Sequence, residues 1–181
     1  MPQKVSDEEV EKLKSIITGR KTHKKSIDRD LLIIELLYNA GLRLSELTNL
    51  RVTDLRLTGE APHLKVLQGK GGKDRDVSLN PYICSRLKAF TKGKAPEDKV
   101  IGIAPKIVNS LFTNWAKRAG VPQLHPHSLR HKFATDILNR GGSIRDVQHL
   151  MGHESLATTE AYLAVTDEGL SDAVGRLDGS A

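Results

Sequence analysis

The sequence predicts an α+β fold that is mainly α-helical, with one small antiparallel β-sheet or hairpin. Three observations carry this. Apolar residues recur at helical spacing between capping residues over most of the chain. Alternating polar and apolar residues occur only near 63–79, on either side of a glycine-rich link. Strands do not alternate with helices along the chain, which argues against a doubly wound or barrel architecture.

The elements follow in order. Ser6 and Glu9 have capping-box spacing, and Val10, Leu13 and Ile17 then share one helical face. Residues 27–39 contain LLIIELLY, apolar nearly all round, so a buried central helix stopping at Gly41 is expected. Ser45-Glu46-Leu47 opens a short helix ending near Asn49. Residues 63–67 and 75–79 alternate around Gln68-Gly69-Lys70-Gly71-Gly72-Lys73, the pattern of a hairpin. Asn80 supplies an N-cap and Pro81 a first helical residue for a helix over 81–91. Pro105 starts another, with Val108, Leu111, Phe112 and Trp115 inward and Gly120 at its end. Pro126 starts a third, with Leu129, Phe133 and Ile137 inside and Gly141 closing it. A short helix over 143–151 closed by Gly152, and a last one capped by Ser155 and reaching Tyr162, complete the reading.

A length of 181 residues, with 38% hydrophobic and 28% charged residues, predicts one ordinary domain. Its expected extent is 1–181, a core over 1–165 followed by a tail over 166–181. No apolar run approaches the roughly 18 residues that cross a bilayer. The opening MPQKVSDEEVEK carries no apolar signal core, and the sole cysteine, Cys84, excludes an internal disulfide framework. The expectation is a soluble, cytoplasmic domain with no membrane partner.

Formal net charge is +6. No acidic residue lies between Asp98 and Asp136, a stretch holding Lys99, Lys106, Lys117, Arg118, Arg130 and Lys132 with His125, His127 and His131. Arg20-Lys21-Thr22-His23-Lys24-Lys25 is a second basic cluster, and Lys65, Lys70, Lys73 and Arg75 form a third. After Thr166 the balance reverses: Asp167, Glu168, Asp172 and Asp178 face only Arg176. A basic body with an acidic tail points to a polyanion, nucleic acid first, against the alternative of a solvated basic surface.

Three segments could carry chemistry. Gly69-Lys70-Gly71-Gly72-Lys73 looks like a phosphate loop, but Asp74 and a strand follow where a Walker A loop needs Ser or Thr and a helix. What survives is a lysine on a flexible hairpin tip. In Leu124-His125-Pro126-His127-Ser128-Leu129-Arg130-His131, His127 and Arg130 share a face at a helix N-terminus, where free N–H groups favour phosphate. Zinc on His125, His127 and His131, or capped core histidines, are the competing readings. Residues 142–162 could form a helix-turn-helix with Gly152-His153 at its turn.

Taken together, Ala40-Gly41-Leu42-Arg43-Leu44-Ser45-Glu46-Leu47, the Gly69-Lys70-Gly71 hairpin, Pro126-His127-Ser128-Leu129-Arg130-His131, Leu150-Met151-Gly152-His153 and Thr158-Thr159-Glu160-Ala161-Tyr162 resemble the catalytic domain of a tyrosine recombinase. That is the phage integrase family, and its Xer-like members above all. The resemblance runs from about Ser6 to Val165 with the pieces in order. It implies catalytic roles for Arg43, Lys70, His127, Arg130, His153 and the nucleophile Tyr162, with Lys73 the substitute if the hairpin register shifts. It implies double-stranded DNA as partner, a monomer alone and a homo-tetramer on paired sites, and no cofactor or metal. The family's helical core-binding domain is not expected in this chain.

The implied reaction is attack by a tyrosine on a DNA phosphodiester, leaving a 3′-phosphotyrosyl link and a free 5′-hydroxyl. The residue types suit it. Two guanidiniums can fork onto the non-bridging oxygens and stay charged. Tyr162, with an ordinary pKa of about 10, needs a proton acceptor, and a neutral His127 fits. The departing 5′-oxygen needs a proton, which Lys70 can supply. A type IB topoisomerase shares this chemistry without exchanging partners. A non-catalytic helix-turn-helix DNA-binding protein is the reading from another class.

Overall fold

Helix α1 (Asp7–Thr18) begins at a complete capping box, with the Glu9 N–H donating to Ser6 Oγ and the Ser6 N–H to Glu9 Oε2 at 2.8 Å. Its inner stripe is Val10, Leu13 and Ile17, all buried. The structure, a computed structural model, describes residues 5–67 and 74–152.

α2 (Lys24–Asn39) starts three residues ahead of the expected Ile27, because Lys24, Lys25 and Ser26 are polar and leave no periodic trace. Leu32, Ile33, Ile34, Leu36 and Leu37 are buried in sequence, so no broad face of the helix meets water there. Two carboxylates within this apolar run, Asp30 and Glu35, are also buried. Asp30 receives Arg20 at 2.6 Å and Arg29 at 2.8 Å. Glu35 receives the Tyr82 hydroxyl at 2.5 Å and Arg86 at 3.0 Å. Each buried charge is thus met by donors, as burial demands.

The chain leaves α2 through Ala40 and reverses at Gly41, whose φ is +57°. A side chain there would be strained, and its Cβ would lie 2.2 Å from Phe133 Cδ1. Only glycine satisfies both demands. α3 (Leu44–Asn49) follows at once.

A three-stranded antiparallel sheet comes next: β1 (Leu55–Arg56), β2 (His63–Val66) and β3 (Arg75–Ser78), in that spatial order. β2 and β3 pair as expected, Leu64 opposite Val77 and Val66 opposite Arg75. β1 adds to β2 through Leu55 and Arg56, a strand of two residues and therefore too short to show alternation in sequence.

α4 (Pro81–Thr91) is capped by Asn80, whose Oδ1 accepts from the Ile83 N–H at 2.9 Å, and it buries Ile83, Cys84 and Leu87. α5 (Pro105–Arg118) buries Val108, Phe112, Trp115 and Ala116, while Leu111 is only half-buried. α1 packs against α2 and α5, and α2 against α3 and α4. The core therefore surrounds α2, with the Arg20 guanidinium 5.8 Å from the Trp115 ring.

Contacts divide the chain into two compact units, the first ending at Phe133 and the second beginning at Ala134. α6 (Pro126–Asn139) starts in the first unit and ends in the second. The described part of the second unit closes with α7 (Ile144–Met151), capped by Ser143 and ended by Gly152 in the left-handed region. Val147 and Met151 are its buried residues. Among the described residues no helix is long and apolar enough to cross a membrane.

Candidate active site

The turn that ends α2 also delivers Arg43. Gly41 reverses the chain, and Arg43 becomes the residue before α3 with extended backbone, φ −67° and ψ 152°. Its own N–H donates to Glu46 Oε2 at 2.7 Å, and its Nη1 donates to Glu46 Oε1 at 2.9 Å. The Arg43 side chain keeps 38% of its surface exposed.

Arg130 comes from α6 and reaches the same place. Its Nη1 donates to the Gly41 carbonyl and lies 3.7 Å from Glu46 Oε2. Its side chain is only 2% exposed, so it is a buried cation within the first unit. Arg75, on β3, completes the group, with Nη1 on Glu46 Oε1 and Nη2 on Glu46 Oε2, both at 2.9 Å. Three guanidiniums thus converge on one carboxylate, and these four groups together sum to two positive charges. Burial pushes the Glu46 carboxyl up. The Arg75 hydrogen bonds, the Arg43 N–H and the charges of Arg75 and Arg130 outweigh this and hold it below its ordinary value.

His127 sits one turn ahead of Arg130 on α6. Partial loss of water, then the charges of Arg130, His125 and Arg43, push its pKa below the ordinary histidine value. His131 is lowered too, by partial burial first and then by His127, Arg130 and His125. The His127 and His131 rings meet edge to face at 5.1 Å, and the His125 and His127 rings stack at 6.3 Å. A neutral imidazole beside arginines is able to accept a proton, and the adjacent cations favour an anion.

His125, one of the three histidines of the zinc reading, is engaged at the start of α6. His125 Nδ1 accepts from the Ser128 N–H at 3.2 Å, and Ser128 Oγ accepts from the His125 N–H at 3.3 Å, a reciprocal pair at the start of α6. One ring nitrogen of His125 therefore serves the helix end. Among the described residues no group of three or more His, Cys, Asp or Glu side chains could hold a metal ion.

The basic stretch before Asp136 is also less of a surface than its sequence suggests. Arg130 is buried, and so is Lys132, whose Nζ lies 2.8 Å from Asp7 Oδ1 and 5.5 Å from the Tyr38 ring centroid. Of the six expected catalytic residues, Arg43, His127 and Arg130 are thus brought together. Lys70, His153 and Tyr162 lie outside the described residues, as do the substitute Lys73 and the expected helix from Ser155.

Two participants escaped the sequence reading, Glu46 and Arg75. Both carried a signal. Period-two alternation places Arg75 on the inward side with Val77, where an arginine requires an acid. Glu46 stands three residues after Arg43, the capping-box spacing.

Comparison with known proteins agrees with this construction. The family model described as "Phage integrase family" matches residues 4–169. The tyrosine recombinase XerA of Pyrococcus furiosus is 37% identical over 186 residues, covering 97% of this chain and 62% of that protein. Among solved structures, a XerA recombinase superposes with a TM-score of 0.78 at 26% identity, over 100% of this chain and 67% of that one. A XerH site-specific recombinase bound to a palindromic difH substrate, in a post-cleavage complex, gives 0.74 at 25% identity, over 98% of this chain and 54% of that one. The fold is that of tyrosine recombinase catalytic domains, mainly helical with a small antiparallel sheet. The chain belongs to the phage integrase family. It spans less than two thirds of the length of the Pyrococcus furiosus relative.

Proposed function

We propose that this chain is the catalytic domain of a site-specific DNA recombinase that cleaves and rejoins double-stranded DNA through a 3′-phosphotyrosyl intermediate. The observation that carries the reading is the convergence of Arg43 and Arg130 on Glu46 beside a histidine pushed toward its neutral form. The family membership and the likeness to a recombinase bound to its DNA substrate support it.

In this reading Arg43 and Arg130 neutralise the scissile phosphate and the charge that grows on its non-bridging oxygens. Tyr162 Oη attacks phosphorus while His127 takes the phenolic proton. The bond from phosphorus to the 5′-oxygen breaks, and Lys70 gives that oxygen a proton. His153 adds a donor near the phosphate. A 5′-hydroxyl from a second strand then reverses the step on a new partner and releases Tyr162. The phosphoester bond is conserved throughout, so ATP is not required, and the guanidinium charges take the place of a metal ion. We place the protein in the cytoplasm, a monomer alone and a homo-tetramer on paired sites.

A suicide DNA substrate, nicked so that cleavage cannot reverse, tests the assignment in a denaturing gel. Wild type should migrate covalently joined to DNA, Tyr162→Phe should form no adduct while still binding, and Arg130→Ala should weaken both. An adduct from Tyr162→Phe would mean that another nucleophile carries the chemistry.

A further inference from the structure

Arg75 lies outside the expected catalytic set, yet its guanidinium forks onto both Glu46 oxygens. Its fork meets both Glu46 oxygens at 2.9 Å, and its side chain is 4% exposed. The Arg43 guanidinium meets Oε1 through Nη1 alone, its backbone N–H taking Oε2 at 2.7 Å, and Arg130 stands 3.7 Å from Oε2. A single carboxylate cannot satisfy three guanidiniums equally, and here the one from β3 is the one that meets both Glu46 oxygens. Resting on the recombinase reading, we propose that Arg75 is a positioning residue for cleavage: it occupies the Glu46 carboxylate from the sheet, so that Arg43 and Arg130 keep their charge for the scissile phosphate.

The reasoning is one of competition. Without Arg75, the cluster holds two arginines and one carboxylate, and its sum falls from two positive charges to one. Glu46 would then draw Arg43 and Arg130 toward itself, away from a phosphate. Packing alone gives no reason for the arginine. Its inward place beside Val77 would suit an aliphatic side chain, and buried ion pairs are often no more stable than apolar replacements. Arginine rather than lysine follows from the contact, since only a planar fork meets both carboxylate oxygens at once. Arg75 also opens the strand that follows the segment bearing Lys70, five residues earlier in sequence.

The test compares wild type, Arg75→Gln, Arg75→Lys, Glu46→Gln and the Arg75→Gln/Glu46→Gln pair in single-turnover cleavage of the suicide substrate. DNA affinity is measured alongside by fluorescence anisotropy. Arg75→Gln should slow cleavage about tenfold or more, short of the roughly hundredfold for removing a direct donor to the reacting group. Its DNA affinity should change by less than about threefold, a split that general loss of structure would not give. Arg75→Lys, which returns the charge without the fork, should recover part of the rate and keeps the test valid if the glutamine variant fails to fold. The double variant should be no slower than the slower single variant, because Arg75 acts through Glu46.

Cleavage within about twofold of wild type in both Arg75 variants would overturn the proposal alone. So would rate losses that multiply in the double variant, or affinity that falls in step with rate. A wild type that forms no Tyr162 adduct would overturn the recombinase reading and this proposal with it.

Discussion

His127 depends on its neighbours more than on its own chemistry. Partial loss of water and the positive charges of Arg130, His125 and Arg43 all disfavour its protonated form. The direction of that shift sets a pH prediction. A base is active while unprotonated, so lowering its pKa extends activity toward acid. The acid limb of the single-turnover cleavage profile should therefore fall below about pH 6.5, the ordinary histidine value. A pH–rate series on the suicide substrate checks it, and a His127-dependent limb above that value would contradict the assignment. His127 and Arg130 were legible in sequence from their spacing at a helix start, and Arg43 through the family resemblance. Glu46 as the acceptor they share was not, since Arg75 and Arg130 reach it from 29 and 84 positions away. Spacing along one element reports which residues share a face; it does not report which distant face they meet.

At the scale of elements, the helices were legible from their ends. Ser6, Asn80, Pro105, Pro126 and Ser143 stand where caps and first turns belong, α1, α4, α5, α6 and α7 follow them, and Gly152 ends α7. The early start of α2 and the existence of β1 were not legible: the first turn is polar, and two residues cannot display a period. α2 also hides two acids in its apolar stretch, and Asp30 offers the cleaner test. It is wholly buried, with Arg20 and Arg29 as its cations. Asp30→Ala should cost about 3 kcal/mol, the low end for rupturing a buried pair, because both arginines keep partial access to water. Urea unfolding followed by circular dichroism measures this, and a loss below about 1 kcal/mol would show Asp30 to be energetically idle.

For the whole molecule, charge governs the encounter with DNA. Net charge is +6, yet Arg75 and Lys132 are buried against acids and serve the interior. Binding by this chain alone should thus be weak, chiefly electrostatic and little dependent on sequence. Log affinity should fall linearly with log salt, by about 0.9 for each phosphate neutralised. Anisotropy titrations across a salt series measure the slope, and Tyr162→Phe should share it, since only a hydroxyl is lost. Adduct formation in the same series should be unchanged by EDTA; activity that returned only with added Mg²⁺ or Zn²⁺ would contradict a charge clamp made of arginines. The fold offers a practical means for such measurements. The only thiol, Cys84, is shut inside α4 at 6% exposure, while Ile107 on α5 stands half exposed. Ile107→Cys would therefore give maleimide dyes a single reactive handle, and single-molecule fluorescence could follow one protein on one DNA without first removing a native cysteine.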